Sequence, residues 1–102
     1  MVSEHDVRST CLALPGTTER LSWSRPAWFA STLFARMWDD TVLTVKTGER
    51  DALLAGQPGA FFVHPHHARY PSLVLVRLGR IGGDELTELI EESYRIAGTR
   101  TP

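Results

Sequence analysis

A chain of 102 residues with 42% hydrophobic and 23% charged residues has the size and balance of one globular domain with a single, modest core. Its formal net charge of −1 says little as a total, and no apolar run approaches the length of a membrane span. The one cysteine, Cys11, excludes an intramolecular disulfide and a multi-cysteine metal site.

The distribution of charge says more than its sum. Eight of the eleven Lys and Arg stand between Arg20 and Arg80, beside four acids, while the other eight acids stand outside that window with three bases. A basic middle between acidic ends can present one positive face from a nearly neutral domain. Glu4, His5, Asp6 and Arg8 interrupt residues 1–20 in a way that no signal-peptide core tolerates, so a cytoplasmic location is expected.

Along the chain, Ser3 followed by Asp6 reads as a helix start, with Val2 and Val7 placed for a hydrophobic staple. Val7, Cys11 and Leu14 recur on one helical face, and Leu14-Pro15-Gly16 ends the helix because Pro15 disfavours a helical residue before it. From residue 23 the pattern changes to strands. Residues 27–30 form a short apolar-aromatic run, and residues 33–38 alternate, with Leu33, Ala35 and Met37 opposing Phe34, Arg36 and Trp38. Asp39-Asp40 is a tight turn, and residues 41–46 alternate again, so three strands form an antiparallel meander.

Thr47-Gly48 breaks the strand, and residues 49–55 form a short helix closed by Gly56. Two apolar runs, residues 61–63 and 73–78, then flank a loop holding His64, His66, His67, Arg69 and Tyr70. The second run is apolar on both alternating faces, which suits a strand buried in mid-sheet. In residues 84–97, Leu86, Leu89, Ile90, Ser93, Tyr94 and Ala97 make one helical stripe, opposite an acidic face whose charges gather toward the N-terminus. Gly98 stops this helix and the remaining residues to 102 read as a loose tail. The order is α-β-β-β-α-β-β-α.

This order and certain residues resemble the MmcQ/YjbR family of small bacterial proteins. The residues are Val7 with Cys11 to Gly16, then Glu19, Phe34-Ala35, Val45-Lys46, Tyr70-Pro71 through Arg77-Leu78, and Glu85-Leu86 through Ser93-Tyr94. The likeness spans residues 7–96. It implies an α+β two-layer sandwich, one antiparallel sheet with the helices on one face, and a DNA-binding role. Ser31-Thr32 stand where the family pattern has Gly-Lys, so one basic residue of that pattern is absent here.

Chemistry-bearing constellations are few. His64 and His66 alternate onto one strand face beside His67, a conceivable two- or three-nitrogen metal site, but no acid lies near in sequence and a polar hairpin loop is the simpler reading. No nucleophile has a recognisable base and orienting partner, and Cys11 lies on an apolar stripe. Gly79, Gly82 and Gly83 make a connector, lacking the lysine of a phosphate loop. Neither catalytic residues, nor a metal, nor a cofactor is expected. The expected function is non-enzymatic DNA binding, weak and salt-dependent, by backbone contacts from a basic sheet face. The residues chosen for it are Arg36, Lys46, Arg69, Tyr70 and Arg77, with His66 and His67. The alternative is a protein-interaction or small-ligand module, with homodimerisation as one form, using the sheet face and the loop 64–71. No membrane partner is expected.

Overall fold

At the start of the chain the Asp6 carboxylate accepts hydrogen bonds from the backbone N–H (2.9 Å) and the hydroxyl (3.1 Å) of Ser3. This ties down a free helix N-terminus, and it holds the Asp6 carboxyl below its ordinary pKa. The computed structural model describes residues 2–98. Its elements are α1 (Glu4–Leu12), β1 (Thr18–Ser22), β2 (Arg25–Phe29), β3 (Leu33–Met37), β4 (Val42–Lys46), α2 (Arg50–Gly56), β5 (Phe61–Phe62), β6 (Leu73–Arg77) and α3 (Gly83–Gly98). Two 3₁₀ turns, Pro65–His67 and Leu78–Arg80, flank β6.

The strands form one antiparallel sheet in the order β1-β2-β3-β4-β6-β5. Short, polar hairpin turns join β1 to β4, as expected where Asp39 accepts from the N–H groups of Thr41 (2.8 Å) and Val42 (2.9 Å). Strand β6 lies inside the sheet and buries Val74, Leu75 and Val76, which is why both of its faces are apolar. Helices α1 and α3 pack over one face. Val7 and Cys11 of α1 and Leu86, Leu89 and Ile90 of α3 share a core with Trp28, Met37, Leu43, Val45 and Val76. Helix α2 adds Leu53 and Leu54 to its margin. The architecture is the expected two-layer α+β sandwich.

Glu19, the acid that follows the Leu-Pro-Gly helix end, ties the layers together. Its Oε1 accepts from the Arg8 guanidinium (2.8 Å) on α1 and from the buried Trp28 indole (2.9 Å) on β2. The Arg8 hydrogen bond chiefly holds the Glu19 carboxyl below its usual pKa. Pro15 offers its carbonyl to the Tyr94 hydroxyl of α3 at 2.5 Å, and Gly16 takes φ +73°, a conformation that costs other residues about 1–2 kcal/mol.

Four details differ from the sequence reading. A further strand, β1, precedes the three expected. Its residues, Thr18-Glu19-Arg20-Leu21-Ser22, are mostly exposed at a sheet edge, so no apolar alternation marks them. Leu33 and Phe34 exchange sides. Phe34 is buried in the helix-side core and meets the Tyr94 ring edge-on at 5.4 Å, while Leu33 faces the other side.

The reason is a register shift between Trp28 and Phe29, where Phe29 pairs with Leu33, together with an inserted side chain. Ser93 of α3 accepts from the Lys46 N–H (2.8 Å) and donates to the Phe34 carbonyl, so its hydroxyl stands where β3 and β4 would otherwise bond directly. His64 and His66 do not alternate along a strand, because β5 ends at Phe62 and Pro65 opens a 3₁₀ turn. Gly98 closes α3 itself, and the expected tail at 99–102 lies outside the described residues.

Candidate functional site

Cross-strand partners share a sheet face. One row of partners runs across the sheet as Arg20, Ala27, Arg36, Thr44, Leu75 and Phe62. This row lies opposite the helices. Residues two positions along each strand add Arg25, Trp38, Lys46 and Arg77 to the same outer face. Several of the cations sit on aromatic rings. The guanidinium carbon of Arg20 lies 4.1 Å from the Phe29 ring centroid, that of Arg77 4.1 Å from Phe62, and that of Arg36 5.8 Å from Trp38. Arg25 pairs with Asp40 at 2.5 Å. The acids of α3 stand in the other layer, where Glu49, Glu88, Glu91 and Glu92 line a groove with Arg95.

The outer face is concave. A pocket of about 590 Å³ opens between β3, β4, the start of β6, the β1–β2 turn and the histidine turn. Its walls include Trp23, Leu33, Arg36, Trp38, Thr44, Lys46, His64, His66, His67 and Leu73. Trp38 is the hub of one wall, with the His64 ring 4.9 Å and the His67 ring 5.0 Å from its own. Arg36 donates from Nε to the Ser22 carbonyl (3.2 Å), and Lys46 reaches the Thr32 hydroxyl (3.3 Å). Burial, then the neighbouring Arg25 charge, lowers the Arg36 pKa from its very high ordinary value.

Local chemistry shapes the histidine turn. His64 Nδ1 accepts the His66 N–H at 3.0 Å, capping the turn that Pro65 begins. The Arg50 guanidinium of α2 then donates to the carbonyls of His67 (3.5 Å), Tyr70 (2.8 Å) and Leu73 (3.3 Å) and clamps the loop against β6. His67 is buried at 7% exposure. Burial first, and then the charges of His66, His64 and Arg36, pull its pKa below the ordinary histidine value. Its Nδ1, like the Thr44 hydroxyl, is buried without a hydrogen-bond partner. The three loop imidazoles are 5.4–6.5 Å apart by ring centroid. Among the described residues, no group of three His, Cys, Asp or Glu is placed to hold a metal ion.

Of the residues chosen from the sequence, Arg36, Lys46, His66 and His67 meet at this pocket. Arg69 and Tyr70 are exposed on the loop beyond the histidines and do not line it. Arg77 shares the outer face but stands over Phe62 toward the other end of β6.

Two participants carry no mark that the sequence reading used. Arg50 is one, because its contacts are all to backbone carbonyls distant in sequence. Trp23 is the other. It forms the two-residue β1–β2 turn with Ser24, and both have positive φ, 54° and 67°. Such a turn prefers Asn-Gly, and a bulky residue there is strained. Trp23 is nonetheless 87% exposed. A lone Trp between serines in a polar stretch was the available signal.

Cys11 stands apart in the helix-side core, fully buried, its thiol pushed up to about 12 by burial and then by Glu19. No helix among the described residues is long and apolar enough to cross a membrane.

The chain is 47% identical over 47 residues to the uncharacterized proteins Rv2570 of Mycobacterium tuberculosis and Mb2600 of Mycobacterium bovis. That stretch is 46% of this chain and 36% of each relative, so the chain matches about a third of their length. The crystal structure of Deinococcus radiodurans protein DR2400, a DUF419 domain, has a TM-score of 0.81 to this chain. It covers 94% of this chain and 78% of that one at 23% identity, a likeness of fold. The YjbR family model matches residues 12–96, from the end of α1 through α3, and the chain belongs to the YjbR family.

Proposed function

We propose that this protein binds nucleic acid, DNA in the first instance, through the outer sheet face, as a cytoplasmic, non-enzymatic protein that contacts mainly the phosphate backbone. The observation that carries this reading is the separation of charge between the layers. Arg20, Arg25, Arg36, Lys46 and Arg77 share one sheet face, where Asp40 pairs with Arg25, whereas Glu88 and Glu91 lie exposed on α3 in the opposite layer. Phosphates approach the first surface and are repelled by the second. The Arg20 and Arg77 guanidinium groups already pack against Phe29 and Phe62, which lowers the entropy lost when they take up a phosphate.

Titrating a labelled duplex across salt concentrations tests this. The log of affinity should fall linearly with the log of salt, and removing one phosphate contact should reduce the slope by about one. Replacing Arg36 and Lys46 together by Gln should weaken binding uniformly across sequences while the circular dichroism spectrum is kept. Replacing Glu88 and Glu91 by Gln should change binding little beyond a gain that salt screens. Equal responses to both pairs, or no binding even at low salt, would sink the proposal.

The pocket favours a second reading, a small-ligand or protein-interaction module, including self-association, because its size is that of a ligand site. Binding that is insensitive to salt and held by Trp23 and Trp38 would select it.

A further inference from the structure

We infer that the outer-face pocket seats one unstacked nucleotide, so that the protein prefers single-stranded nucleic acid to duplex. This rests on the phosphate-binding reading above and gives that surface its substrate class.

Three independent features converge on the same occupant. The first is strain at an exposed aromatic. Trp23 occupies a left-handed position, φ 54°, in a turn that Asn or Gly would adopt freely. Packing does not explain its presence, since 87% of its surface is exposed, and it lines the pocket. Strained residues that contribute little to the core cluster at binding sites. Trp38, with the His64 ring tilted against it and the His67 ring edge-on, adds a second aromatic side chain to the same lining. Aromatic side chains at a pocket accept a planar heteroaromatic ring, and base stacking on them tolerates any base.

The second feature is a pair of unsatisfied polar atoms. Thr44 (8% exposed) and His67 (7% exposed) both line the pocket, and Thr44 Oγ1 and His67 Nδ1 lack hydrogen-bond partners. Buried polar groups are almost always paired, so such atoms beside a pocket point to a polar ligand edge that completes them. A nucleobase carries donors and acceptors along its edge, whereas a purely apolar ligand would leave both atoms unpaired.

The third feature is charge. Arg36 and Lys46 line the same pocket, and Arg25 and Arg20 continue the positive face beyond Arg36 across β2 and β1. A ring, a hydrogen-bonding edge and an adjoining string of negative charges describe a nucleotide within a strand. In a duplex the bases are stacked and paired and cannot enter, so entry selects single strands.

The test compares four probes of one chemistry by fluorescence anisotropy and by tryptophan quenching. These are a single-stranded oligodeoxynucleotide, the duplex of the same length, the same single strand carrying abasic sites, and a free nucleoside monophosphate. The single strand should bind roughly tenfold tighter than the duplex and quench tryptophan, and the abasic strand should fall back to the duplex level. Trp23→Gly and Thr44→Val should each lower affinity for the intact strand severalfold, while leaving the abasic strand and the salt slope essentially unchanged and the thermal midpoint no lower, since each removes a strained or unpaired group. Neither variant removes a core contact, so folding should survive both.

If intact strand, abasic strand and duplex bind alike, with the expected salt slope, the phosphate surface stands and the pocket inference is overturned. If the free monophosphate binds as tightly as the strand, the occupant is a free nucleotide and the strand preference is wrong. If none of the oligonucleotides binds at low salt, the phosphate reading fails and takes this inference with it.

Discussion

Replacing Ser93 by Ala removes a single oxygen at the centre of the molecule, and its effect can be worked out from the contacts. The hydroxyl is fully buried, accepts from the Lys46 N–H at 2.8 Å and donates to the Phe34 carbonyl. Ala35 pairs with Val45, so Phe34 and Lys46 are the next opposed residues, and Ser93 stands between their backbones. Alanine leaves one buried donor and one buried acceptor without partners, at about 1–3 kcal/mol for each orphaned group. The strands could recover part of this by closing to a direct hydrogen bond. Closure, however, draws Phe34 away from Tyr94, whose ring it meets at 5.4 Å.

The expected net loss is about 2–4 kcal/mol, or a fall of roughly 10–20 °C in thermal midpoint for a domain of this size. Urea denaturation and calorimetry measure it, and hydrogen exchange at the Lys46 amide should lose protection locally. A variant whose midpoint stays within a degree or two of the parent, with Lys46 still protected, would refute the view that Ser93 holds the two strands apart.

Glu19→Ala should cost about 1–2 kcal/mol in urea denaturation, chiefly by leaving the buried Trp28 indole N–H without its acceptor, since the partly exposed Arg8 pair contributes little. An unchanged midpoint would remove Glu19 from the framework. Cys11 should react slowly with a thiol reagent in the native protein and rapidly in denaturant, because burial keeps the thiol protonated. Fast native labelling would contradict the packing of α1. His67, whose folded pKa lies below the ordinary 6.5, favours the neutral form, so the unfolded chain takes up protons first as the pH falls. Stability should therefore be fully present above about 6.5 and decline as the pH drops toward the folded value. His67→Gln should flatten that decline, leaving the losses from Asp6 and Glu19 to appear at more acid pH. A slope that His67→Gln leaves intact would assign it to other groups.

Much of the fold is written in short-range pattern. The stripe from Leu86 to Ala97 specifies α3, the alternation through Leu43 and Val45 specifies β4, and the doubly apolar run from Leu73 specifies a strand inside the sheet. Each is a local periodicity that one face of one element must obey, and the charge partition between the layers follows from the same pattern. Proline and glycine mark where α1 must end for the same local reason.

The site was legible only in pieces. Arg36, Lys46, His66 and His67 stood out by type, but nothing local brings residues 23, 36, 46 and 67 to one pocket. That requires the register of the β-meander and a loop held by Arg50 through carbonyls. The exchange of Leu33 with Phe34 is tertiary as well, because it depends on a serine from a helix far along the chain entering between two strands. Strand β1 has no inward apolar row of its own and exists because the edge of β2 offers it hydrogen bonds. Periodicity shows which way a side chain faces within its own element. Which side chains meet is decided by register, inserted polar groups and edge pairing, and those are properties of the assembled sheet.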